Sequence, residues 1–224
     1  MVKLKRRAGA VAAAVALTLT LSSLPAGAAA RQPAASANEM QLVQQIAAHL
    51  AQAKGIRAQF TQTQTVSAMN RPLVSTGTLV FFRERGVIWQ MDTPYKATYV
   101  MTDAGVTQVD ATGKPVTSNR QPQGARGVAQ VSKMMRTMLG GDLSALYSQF
   151  DVKAEGTPTQ WRMHLNPNQP QLAQSIKGLQ MEGGDYLKTL RITLANGDVT
   201  QIEFANSKAI DALDPADLTL LGAQ

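Results

Sequence analysis

Short strand-forming stretches separated by turn signals dominate this chain, and they leave room for few long helices. From Ile56 to Ala68 the residues are rich in Thr, Gln and Val, and Met69-Asn70-Arg71-Pro72 reads as a turn. Val74–Phe82 follows, Gly86 permits the next reversal, and Val87–Met91 returns. Ala97–Thr102 and Val106–Asp110 form another pair around Asp103-Ala104-Gly105, with Ala111-Thr112-Gly113 turning the chain again. Links this short make successive strands antiparallel neighbours, a β-meander. A second run covers Val152–Glu155, Gln160–Leu165, Gly178–Met181, Leu187–Leu194 and Val199–Phe204, with Asn196-Gly197 the strongest hairpin signal.

Two helical segments interrupt the strands. Val43, Ile46, Ala47 and Leu50 recur at helical spacing within 38–53, where Ser36 with Glu39, or Asn38 with Gln41, can cap the start and Gly55 the end. After the polar loop 119–127 a helical pattern spans 128–139; Gly140-Gly141 breaks it, and Asp142 can cap a short helix reaching Phe150. A large antiparallel sheet curls. The expected fold is therefore mainly β (α+β): a half-open curved antiparallel barrel of about 11 strands with a lid of short helices. Such a cup either encloses a ligand cavity or is packed solid.

The N-terminus points to export. Lys3, Lys5, Arg6 and Arg7 precede an uncharged run from Val11 to Leu21, and small residues at 26–30 offer cleavage sites. That is the pattern of a signal peptide over 1–28, too short in its apolar part to span a bilayer. Residues 29–37 read as a disordered mature N-terminus, and 38–224 as one domain in the periplasm. With no cysteine, disulfides and thiolate metal sites are excluded. Removing the four signal cations lowers the formal net charge from +7 to +3. The remaining cations are scattered, which argues against nucleic-acid binding.

Catalytic chemistry is sparse. His49 lies on the flank of the first helix, and His164 points away from Met163 and Leu165; neither has a nucleophile and acid beside it. Asp103, Asp110, Asp185 and Asp198 fall at turns, where local hydrogen bonding accounts for them. No enzyme, cofactor or metal is expected. Met134, Met135 and Met138, with Leu139, either line a lid over flexible hydrocarbon or fill a core. Gly140-Gly141 is a hinge or an ordinary helix stop. Leu79, Phe81 and Arg83 share one strand face, so Arg83 either reaches the carbonyls of the covering helix or is an exposed cation at a hairpin end. Glu84 and Arg85 belong to the turn.

Gly77-x-Leu79-x-Phe81-x-Arg83, then Trp89-x-Met91, Pro94 and Asp103-Ala104-Gly105, resemble the periplasmic outer-membrane lipoprotein carrier family, LolA. Ala58-Gln59-Phe60-Thr61-Gln62 is similar to that family's A-x-F-x-Q strand start. Glu84 stands where the family has proline, and the C-terminal half departs from its pattern, as in a divergent branch. The resemblance implies a monomeric carrier whose cavity takes lipoprotein acyl chains from an inner-membrane ABC transporter to an outer-membrane acceptor. Its cavity and lid would use Phe60, Leu79, Phe81, Arg83, Trp89, Met91, Met134, Met135, Met138 and Leu139. Alternatives are a carrier of another lipid, polyene or glycolipid, a lipoprotein-sensing regulatory module, or an esterase using His164.

Overall fold

The structure, a computed structural model, describes residues 37–102, 105–116 and 143–221 of the 224-residue chain. The expected signal peptide, most of the segment 29–37, the loop 119–127 and the helix 128–139 lie outside the described residues. So do Met134, Met135, Met138, Leu139, Gly140, Gly141 and Asp142.

Ten strands are described: β1 Gly55–Thr65, β2 Leu73–Phe82, β3 Gly86–Thr93, β4 Ala97–Thr102, β5 Gly105–Val109, β6 Phe150–Thr157, β7 Gln160–Pro167, β8 Ile176–Gly183, β9 Leu187–Leu194 and β10 Val199–Ile210. They form one antiparallel sheet in the order β5-β4-β3-β2-β1-β10-β9-β8-β7-β6. Two meanders thus meet along β1 and β10, paired from Gly55↔Ile210 to Thr65↔Val199 with a register shift between Arg57 and Gln59. Strands β5 and β6, consecutive in the chain, lie at opposite edges, so the curved sheet is a half-open barrel. Ten strands stand among the described residues, against about 11 expected.

Helix α1, Ala37–Leu50, buries Val43, Ile46, Ala47 and Leu50, the stripe read from the sequence. It ends three residues short of the expected 53. Helix α2, Leu143–Tyr147, packs with α1 on β6. Two further helices escaped sequence reading: α3, Pro170–Ala173, and α4, Pro215–Leu220. The second has a start signature, Asp214-Pro215-x-Asp217, in which the Asp214 side chain accepts from the Asp217 N–H.

Strands β2–β4 are apolar on both faces because both faces are covered. Leu79, Phe81, Val87, Trp89, Tyr99 and Met101 join the main core beneath α1. Their alternates Val80, Ile88 and Val100 join a smaller outer core with Val109 and Leu220 of α4. On that outer face Arg57 clamps α4: Nη2 donates to Asp214 at 2.9 Å and also to the buried carboxylate of Asp217.

Burial pushes the Asp217 carboxyl above the ordinary aspartate value, an effect larger than the opposing pull of Arg57. The folded chain therefore holds that proton more tightly than the unfolded one. The associated stability is fully present below the unfolded pKa and is lost as pH rises through the folded pKa. Arg57→Leu leaves the carboxylate buried without its cation, and we expect a loss of about 2–3 kcal/mol at neutral pH in urea denaturation. The loss should shrink toward about pH 4, where protonation removes the charge. An equal loss at both pH values would show that Asp217 is not the group left uncompensated.

Candidate functional site

The concave face is laid out in rows by the strand register. Ile56, Phe81, Val87 and Met101 are cross-strand neighbours nearest the rim. The next row is Ala58, Leu79, Trp89 and Tyr99, and the one beyond it Phe60, Gly77, Met91 and Ala97. Gly77 is required here: a Cβ would meet the Gln90 carbonyl oxygen at 1.8 Å and Phe60 Cζ at 2.9 Å. The space it leaves lets Phe60 lie against Trp89, ring centroids 3.9 Å apart. Five of the sequence-derived site residues, Phe60, Leu79, Phe81, Trp89 and Met91, are thereby gathered in one buried cluster. The second meander supplies the rest of the face, including Met163, Leu165, Met181 and Leu190.

Arg83 stands apart from that cluster. It is the exposed first residue of the β2–β3 turn, and its Nη2 donates to the carbonyl oxygens of Ala51 and, at 3.1 Å, of Ala53. Its backbone N–H also donates to the Lys54 carbonyl at 3.0 Å. These acceptors lie just beyond the last residue of α1, where helix carbonyls lack internal partners and a cation is favoured. Arg83 is thus an exposed hairpin-end cation that also reaches the carbonyls of the chain leaving α1. Glu84 and Arg85 are turn residues, the latter donating from its backbone to Phe82 at 3.0 Å.

A second tie on α1 was not legible in the sequence. His49 Nε2 lies 3.1 Å from Asp185 Oδ1 in the β8–β9 turn, 136 residues away. No local pattern announces such a pair. The turn acids read from the sequence behave differently. Asp110 accepts from Thr112 and Lys114, and Asp198 from Ser67 and Asn196, and these hydrogen bonds hold both carboxyls below the ordinary aspartate value. Both are satisfied surface groups. His164 is half-buried on the face opposite Met163 and Leu165, as expected from alternation.

The interior is almost wholly apolar. Its polar exceptions are Gln62 and Ser75, buried cross-strand neighbours one row beyond Phe60 and Gly77. Two buried side-chain atoms, Trp89 Nε1 and Tyr147 Oη, find no hydrogen-bond partner among the described residues. Burial raises the Tyr147 phenol above its ordinary pKa, with a smaller push from the Glu39 carboxylate. No group of three His, Asp or Glu side chains that could hold a metal ion stands together among the described residues. A groove of about 540 Å³ lies on the outer face, between β3–β5 and α4, lined by Lys96, Val109, Val116 and Leu220 among others. Chemically, the concave face offers apolar side chains almost throughout.

Solved structures with a similar arrangement include the LolA superfamily protein NE2245 from Nitrosomonas europaea, 9% identical, TM-score 0.43, covering 80% of this chain and 97% of that one. LprF from Mycobacterium bovis is 12% identical, TM-score 0.39, covering 82% and 99%. MucB, also solved with MucA from Pseudomonas aeruginosa, is 13% identical with a TM-score of 0.49. That match covers 82% of this chain but only 62% of MucB. No curated protein matches the sequence. None of these three likenesses reaches a TM-score of 0.5, so the assignment rests on sequence: the pattern described as "Outer membrane lipoprotein carrier protein LolA-like" matches residues 34–222. The chain belongs to that LolA-like family.

Proposed function

We propose that this protein is a periplasmic carrier that takes the acyl chains of lipoproteins onto its concave face and moves them from the inner to the outer membrane. One observation carries the reading: a continuous apolar face carries a helix packed on it through an apolar stripe, Val43, Ile46 and Leu50. Arg83 with Ala51 and Ala53, and His49 with Asp185, are exposed polar contacts at the end of that helix. The leader-like N-terminus supports export, and the family description supports lipoprotein as cargo. An inner-membrane ABC transporter as donor and an outer-membrane acceptor complete the proposal.

The energetics suit a carrier. A sixteen-carbon acyl chain gains roughly 12 kcal/mol on leaving water, at about 0.8 kcal/mol per methylene. Room for it requires lifting Val43, Ile46 and Leu50, whose burial contributes about 1.5–3 kcal/mol each. The opposing quantities are of the same order, so binding is moderate and reversible. No covalent step is needed at any stage.

Protein lacking residues 1–28 should bind a fluorescent palmitoylated peptide saturably, with a Kd on the order of 1–100 μM by polarisation. Absence of saturable binding would sink the carrier reading. Arg83→Leu tests the lid. Discounted for exposure, its lost bonds weaken the closed state by about 1 kcal/mol, so cargo should bind about fivefold tighter and leave more slowly. Unchanged affinity and release rate would reduce Arg83 to a hairpin-end cation.

A further inference from the structure

We infer that the concave face recognises a carbonyl group in its cargo, an acyl ester or amide rather than bare hydrocarbon, through the indole N–H of Trp89. The inference rests on the carrier reading above and names the chemistry that the same site selects.

The two tryptophans of the chain make the comparison. Both are buried in the main core, Trp89 at 1% and Trp161 at 3% exposure. Trp161 Nε1 donates to the Gly184 carbonyl oxygen at 3.1 Å. Trp89 Nε1 donates to nothing among the described residues. An indole nitrogen is a donor only, so it cannot be satisfied by changing role. Nor is the ring free to seek a partner, because it is stacked on Phe60 and sits between Leu79 and Tyr99 in the register.

An unmet buried donor is destabilising, and protein interiors rarely keep one. As packing alone, an indole at this position carries a desolvation cost that a wholly apolar side chain would not. The fold satisfies an indole where its role is structural, as at Trp161. Tyr147 Oη, on α2 against the same cluster, is the second buried group left without a partner. A cargo that brings a carbonyl oxygen to the indole relieves Trp89, and an alkyl or polyene chain does not. Gln62 and Ser75, on the row beyond Phe60, extend the polar capacity of the same face. The cup thus favours the linkage end of an acyl group as well as its tail.

The test compares two lipids that differ only in that linkage, dipalmitoylglycerol and the matching dihexadecyl glycerol ether. The mature protein should bind the diester about tenfold more tightly. In a spectrum of ¹⁵N-indole protein, the Trp89 resonance should move downfield with the diester and not with the ether. Trp89→Phe should bring the two affinities level. Equal affinities in the parent protein, or a preference that survives Trp89→Phe, would overturn the inference while leaving a carrier standing. Binding of neither lipid would overturn the carrier reading and this inference with it.

Discussion

An open sheet of ten strands leaves one curved face of large apolar side chains that must be kept from water, and α1 is what covers it. Phe81, Trp89, Met163, Leu165 and Leu190 are each almost completely buried on that face, and Ile46 of α1 is equally so. A closed barrel would need no cover, and a sheet polar on one side would need none either. Here the edges β5 and β6 do not pair with each other, and among the described residues α1 packs on the face between them. Hydrophobic burial of this kind is non-directional, and a helix held by it can be exchanged for another apolar object of similar size.

The two sides of the sheet are secured differently. On the outer face α4 is fixed by a capped N-terminus, a charge clamp between Arg57 and two aspartates, and a small core of its own. On the inner face α1 packs through an apolar stripe, with one arginine at its exit and one exposed histidine–aspartate pair among its polar contacts. Removing the outer helix breaks a buried ion pair, which is expensive. Moving the inner one breaks weak polar contacts near the surface and exposes the apolar stripe of Val43, Ile46 and Leu50, a cost that another apolar object in its place would offset. Firm support on one side and a helix held mainly by apolar packing on the other is the arrangement on which the proposed uptake of an acyl chain rests.

Much of this was legible in the chain, because period-2 alternation and turn residues fix strands locally. Asn196-Gly197, Gly86 and the runs around Leu79 and Trp89 located hairpins that the register confirms. The stripe of α1 was equally plain. What escaped was set by distant partners or short segments. His49 with Asp185 and Arg57 with Asp217 join residues more than a hundred positions apart, and α3 has only four residues. That β1 pairs with β10, uniting the two meanders, is likewise a long-range fact with no local sign. The orphaned indole of Trp89 could be seen only once its surroundings were known.

The central claim is that cargo and α1 compete for one apolar face. Hydrogen exchange read by mass spectrometry, with and without a saturating palmitoylated peptide, tests it most directly. Competition requires that amides of 37–50 exchange at least about tenfold faster with cargo bound, while those of β1–β3 keep their protection. Protection of α1 that stays level or rises when cargo is demonstrably bound would contradict the claim.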